Sequence, residues 1–119
     1  MKARHEQPPV DPARQPMKIR HWDPATDGPL SIEAVRERLE GMGYTCACYI
    51  YTPGTVFPEH THSVDKIDVV LKGRFMINLQ GENGILQGGD YVFIPRGTVH
   101  RAAVVGDEDV VSIDAERMR

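Results

Sequence analysis

From residue 44 onward, short apolar runs alternate with turn residues, and no helical period appears among them. Residues 44–51 are rich in β-formers and end at Pro53-Gly54. Residues 67–71 and 74–79 are apolar runs split by Lys72-Gly73, a hairpin-like break. Gly81-Glu82-Asn83-Gly84 reads as a turn, and Gly88-Gly89-Asp90 as another that leads into residues 91–94. Residues 98–105 and 110–113 follow, separated by Gly106-Asp107-Glu108-Asp109. Many short strands at regular turn spacing predict an all-β sandwich or barrel over residues 44–115.

The pattern changes upstream. Residues 17–43 form a lead-in segment in which Asp23-Pro24 and Asp27-Gly28-Pro29 signal turns. Ser31 then stands where a helix N-cap belongs, and Leu30 and Val35 have the spacing of a hydrophobic staple. Ile32, Val35 and Leu39 make an apolar stripe, prolonged by Met42, with Glu33, Arg36, Glu37, Arg38 and Glu40 opposite. The spacing predicts one helix over residues 31–41, ended by Gly41 or Gly43 and packed outside the barrel. Residues 1–16 carry Pro8, Pro9, Pro12 and Pro16 among polar groups and read as a disordered or extended arm. An arm that crosses onto a partner subunit is the alternative.

With 119 residues the chain is most simply one domain with a modest core. A net charge of −3 gives no global positive field for nucleic acid or an anionic membrane. No apolar run approaches the roughly 20 residues of a spanning helix, and the N-terminus lacks the apolar core of a secretory signal. Cys46 and Cys48 are too few and too close for a disulfide framework, so a reducing, cytoplasmic compartment is expected. They share a strand face and read as core residues.

The chemistry concentrates in histidine. On a strand, His60 and His62 would point to one face, and His100 would join them from a distant strand. Neutral imidazole suits several first-row metals, and three such ligands describe an open, catalytic type of site. A bare His-x-His pair is unspecific, however, and is common on ordinary surfaces.

The flanking spacing is more informative. Gly54, His60, His62 and Gly73 fall at the intervals of the first motif of the cupin superfamily. Gly89, Pro95, Gly97 and His100 fall at those of the second. The chain therefore resembles a small single-domain cupin over about residues 44–115. The resemblance implies a jelly-roll β-barrel with a pocket, often dimeric, and often holding one divalent metal. Here that would be iron, manganese, zinc, nickel or copper on His60, His62 and His100.

Two positions depart from the pattern. The family's final Asn falls on Val104, and its Glu falls on Lys66. An ammonium has no acceptor and cannot ligate a metal. Burial and a nearby metal would both push the Lys66 pKa down. Lys66 would then serve in the pocket as an acid, a base or an anion-holding group, or else weaken metal binding. Asp68 lies two residues on, on the same strand face. A buried Lys66–Asp68 pair and a solvated loop end containing Asp65, Lys66 and Asp68 are both open readings. Lys66 and Asp68 are the catalytic candidates. Tyr49 and Tyr51 share a face that could line the pocket, while Phe57, Phe75, Met76 and Phe93 read as packing.

Two functions follow. One is a metal-dependent oxidase, dioxygenase or isomerase acting on a small oxygen-rich molecule. The other is a non-catalytic binding or sensor barrel, with or without metal. A small-molecule ligand and a homodimer are expected in either case, and no nucleic-acid or membrane partner.

Overall fold

The strand-rich stretch folds as two antiparallel sheets laid face to face, in a computed structural model that describes residues 17–118. The arm expected over residues 1–16 lies outside the described residues. In chain order the elements are β1 (Arg20–His21), α1 (Pro24–Asp27), α2 (Ile32–Gly41), β2 (Thr45–Tyr51), β3 (Val56–His60), β4 (Asp65–Lys72), β5 (Arg74–Leu79), β6 (Glu82–Leu86), β7 (Asp90–Ile94), β8 (His100–Val105) and β9 (Val110–Arg117). One sheet has the order β1-β7-β4-β9-β2 and the other β3-β8-β5-β6. This is the jelly-roll architecture, with α2 packed outside it.

Strand alternation builds two apolar layers. Between the sheets, Val70, Ile77, Leu86, Val92, Ile94 and Val110 are buried in one cluster. On the outer face of the larger sheet, Ile67, Val69, Ile113 and Ala115 pack under Val35 and Leu39 of α2. Each buried aliphatic side chain contributes about 1.5–3 kcal/mol. Because β4 is covered on both faces, its inward residue Lys66 is buried and Asp68 partly so, while Ile67 and Val69 serve the helix layer.

Ser31 caps α2, its hydroxyl oxygen accepting a bond from the Ala34 N–H at 3.0 Å. Met42 does not extend the stripe; it is the C-cap and half exposed. Asp23-Pro24, read as a turn, instead starts the single-turn helix α1. Asp23 caps it and Pro24, which has no N–H to satisfy, takes its first position. The hairpin between β5 and β6 also differs from expectation. Its turn is Gln80-Gly81, both with positive φ, and Asn83 and Gly84 lie in β6 opposite Asn78 and Ile77. The Asn78 side chain accepts from the Gly81 N–H at 3.1 Å and donates to Asn83 Oδ1 at 2.8 Å, which holds the tight turn and draws Asn83 into the ladder.

Gly73 is required where β4 turns into β5. Its φ is +83°, and a Cβ there would lie 2.4 Å from the Asp109 carbonyl oxygen. Among the described residues no helix is long and apolar enough to cross a membrane.

Candidate metal centre

The three motif histidines come together at one end of the cavity between the sheets. His60 closes β3 and is the register partner of His100, which opens β8. The ring centroids lie 4.2 Å apart for His60 and His100, 4.7 Å for His60 and His62, and 5.0 Å for His62 and His100. One nitrogen from each ring lies within 4.8 Å of the others.

His62 does not reach the cluster by strand alternation. The register of β3 shifts between Phe57 and His60, the strand ends at His60, and His62 sits in the following loop. That loop is tied to the second motif. The Gly97 N–H donates to the His62 carbonyl at 2.8 Å, and the Arg96 N–H donates to the buried Asp65 carboxylate at 3.0 Å. The Pro95-Arg96-Gly97 turn therefore positions His62 as well as His100.

Two of the imidazoles have their tautomer set by a carbonyl. His60 Nδ1 lies 2.6 Å from the Pro58 oxygen and His100 Nδ1 2.9 Å from the Thr98 oxygen. A carbonyl only accepts, so each Nδ1 carries the proton and each Nε2 presents a lone pair. Burial pushes the His62 pKa below its ordinary value, and the Lys66 charge and the other two imidazoles act in the same direction. Burial lowers His100 as well; its bond to Thr98 opposes this, while His60 and Lys66 reinforce it. Neutral imidazoles with free Nε2 atoms are the donor set a borderline divalent transition ion takes.

The opposite wall of the cavity comes from β4, β9 and β2. Lys66 is only 4% exposed, which overturns the solvated loop-end reading. Its ammonium lies 2.5 Å from Asp114 Oδ1 and 3.7 Å from Glu116 Oε2. The ion partner is thus Asp114 on β9 rather than Asp68. Lys66 and Asp68 project in parallel from one strand, whereas β9 brings carboxylates alongside the ammonium. Burial does pull the Lys66 pKa down. The hydrogen bond and charge of Asp114, with the charges of Asp68 and Glu116, outweigh it, so the net shift is upward and not the expected fall. Asp68 is register partner of Asp114 and lines the same cavity. Burial, then the Asp114 charge, raise its pKa to about 7 against the opposing pull of Lys66.

The remainder of the wall is aromatic. Tyr51 stacks on Phe75 at 5.5 Å and meets Phe57 edge-on at 4.9 Å. Burial first, then the charges of Asp114 and Asp68, keep the Tyr51 hydroxyl protonated. Tyr49 of the same face is exposed, although it stacks on Tyr51. The cavity measures about 150 Å³ and is open at one side. Sequence reasoning missed Asp114 and Ser112, and it took Phe57 and Phe75 for packing alone.

The Cupin domain pattern matches residues 48–116, more than half of the chain. This chain belongs to the cupin family. Among curated proteins the cupin is similar to germin-like protein subfamily 1 member 4 of Arabidopsis thaliana, 32% identical over 91 residues. That match takes in 66% of this chain and 41% of the plant protein, so the cupin spans about two-fifths of that relative's length. Among solved structures it resembles KdgF from a Halomonas species, with 28% identity and a TM-score of 0.57 over 65% of this chain and 71% of that one. A cupin-like protein from Thermotoga maritima gives 28% identity and a TM-score of 0.58 over 63% and 57%.

Proposed function

We propose that this cupin is a metal-dependent enzyme acting on a small, oxygen-rich organic molecule, with His60, His62 and His100 holding one divalent transition ion. The observation that carries the reading is the meeting of two features in one cavity. Three imidazoles converge on one side, and Lys66, Asp68 and Asp114 stand on another. A structural metal site is closed by four protein ligands, whereas three histidines leave positions open to a substrate. The bound ion would supply Lewis acidity or, for a redox-active metal, electron transfer. Of the chain's own groups, Lys66 sets the charge beside the substrate, and Tyr51, Phe57 and Phe75 keep water from its apolar side. A cavity of about 150 Å³ is the size that holds a benzene ring, so the buried part of the substrate is small.

A binding or sensor barrel is the competing reading. It is favoured by Lys66 standing at the position that corresponds to the family's carboxylate. Metal analysis of untagged protein separates the two, followed by oxygen-uptake and isomerisation screens over small hydroxy and keto compounds. Stoichiometric metal that is lost in His60→Ala, together with turnover, supports the enzyme. Metal-free protein in which His60→Ala alters only stability sinks it. The proposal includes a homodimer built on the edge strand β2, where Ile50 is 64% exposed. A monomeric mass in light scattering would rule that out. It also places the protein in the cytoplasm, where Cys46 and Cys48 would remain thiols.

A further inference from the structure

The cavity wall carries more acid–base chemistry than a metal site needs. Asp68 and Asp114 are directly opposed on adjacent antiparallel strands, which sets their Cβ atoms about 4.5–5.5 Å apart. Both line the cavity that the three histidines enter. Their surroundings are unequal. Asp114 is clamped by the Lys66 ammonium, whereas the Asp68 carboxyl has no hydrogen-bond partner among the described residues. Two carboxylates this close, sharing one lysine, repel strongly when both are ionised.

We infer that Asp68 and Asp114 form a one-proton carboxyl pair, anchored by Lys66, that takes up the proton a weakly acidic substrate loses as it binds at the three-histidine site. The inference rests on the metal-dependent reading above. Three neutral ligands leave a divalent ion with its full charge, so the site favours a ligand that arrives as an oxygen acid and stays as an anion. In the step, an O–H or acidic C–H bond of the substrate breaks and its electron pair stays on the substrate. The proton forms an O–H bond on Asp68. Nothing is oxidised or reduced. The groups facing Asp68 are Lys66 on its own strand, Asp114 and, farther out, Glu116 on β9, Tyr51 on β2, and the three imidazoles across the cavity. Burial and the Asp114 charge already hold the Asp68 pKa at about 7, so the carboxylate is present, and basic enough to accept, just above neutral pH.

The test has two arms on the full chain. In the first, carbon NMR follows aspartate carboxyls labelled at Cγ through a pH titration of metal-free protein. One carboxyl should titrate near neutrality. It should vanish in Asp68→Asn and move at least about one pH unit lower in Asp114→Asn. Should Asp114→Asn fail to fold because Lys66 is stranded, Lys66→Met with Asp114→Asn is compared with Lys66→Met alone, and the downward shift between those two variants isolates the Asp114 charge. A near-neutral carboxyl that ignores Asp114, or none at all, overturns the pair. In the second arm, acetohydroxamic acid is titrated into zinc-loaded protein at about pH 8, where Asp68 is mainly ionised, in two buffers of different ionisation enthalpy. The hydroxamate anion bound beside the pair adds a negative charge that raises the Asp68 pKa above the working pH, so wild type should release well under one proton per hydroxamate, and Asp68→Asn close to one. Equal release from both overturns the proton uptake. Failure to bind zinc, with the near-neutral carboxyl pair intact in the first arm, supports the pair while sinking the metal-dependent reading.

Discussion

Replacing Asp68 with Asn should stabilise this protein, and only over a defined pH range. The carboxyl has an ordinary value of 3.8 in the unfolded chain and about 7 in the folded one. Its proton is therefore held more tightly after folding. The associated stability is complete below about 3.8 and is lost as pH rises through about 7. At about 1.4 kcal/mol for each tenfold change, the ceiling on that loss is about 4 kcal/mol. Asp68 keeps some contact with solvent at the open side of the cavity, so screening brings the expected figure nearer to about 2 kcal/mol. Asn has the shape of the protonated acid and no charge to lose. Urea unfolding of metal-free protein at several pH values gives the comparison. The Asp68→Asn advantage should be small near pH 4, grow through neutrality and level off above it. With zinc bound, the added positive charge should favour the carboxylate and shrink the difference. A mutant–wild-type difference that is flat with pH refutes the reasoning, because a lost or gained contact alone carries no proton linkage.

His60→Ala or His100→Ala should weaken zinc binding at least about 100-fold, read by competition with a chromophoric chelator, since losing a ligand exceeds the 10–100-fold effect of losing its supporting partner. Gly73→Ala should destabilise by about 2–4 kcal/mol in denaturant unfolding, because it combines a positive φ with a Cβ driven onto the Asp109 carbonyl. Ser31→Ala should cost about 1 kcal/mol through loss of the α2 cap, with metal binding unchanged.

The histidine cluster was readable because motif spacing places ligands without knowledge of the backbone between them. The local argument was weaker than the spacing: His62 reaches the site from a loop held by Gly97, not from the strand face that alternation assigned to it. Six strands of the barrel were legible from their apolar runs, but β1 and β3 have none, and β6 was missed because Gly81-Glu82-Asn83-Gly84 has turn composition. Only the pairing of Leu79 with Glu82, Asn78 with Asn83 and Ile77 with Gly84 shows that the turn ends at Gly81, three residues earlier than the composition implies. The charged wall was the least legible part. In β9, Ser112, Asp114 and Glu116 alternate with Val111, Ile113 and Ala115, which reads as a strand with a solvent face. Here α2 takes the apolar face, so the polar residues turn toward the cavity instead. The available signal was the combination of an amphipathic helix with an alternating strand in a two-sheet fold. Register, which pairs Asp68 with Asp114, has no local signature at all.

That register bears on the residue that departs from the family pattern. Exchanging a carboxylate for the Lys66 ammonium makes the position more positive by two charges. A buried lysine beside a divalent ion would then repel it. Asp114 directly, and Asp68 when ionised, return those two negative charges to the same cavity. The negative charge then stands on the cavity wall rather than at the position that would ligate a metal. A carboxylate on the metal can no longer accept a proton freely, whereas one on the wall can. On the proposed metal-dependent reading, the same arrangement would leave one more coordination position open to a substrate than a three-histidine, one-carboxylate set would. Lys66 and Asp114 thus act as one electrostatic unit. Replacing Lys66 with Glu alone should therefore weaken folding by crowding carboxylates. Lys66→Glu with Asp114→Asn and Asp68→Asn should relieve the crowding and tighten zinc binding relative to wild type. If the triple variant binds zinc no better than wild type, the compensation between the two strands is not what sets the metal affinity of this site.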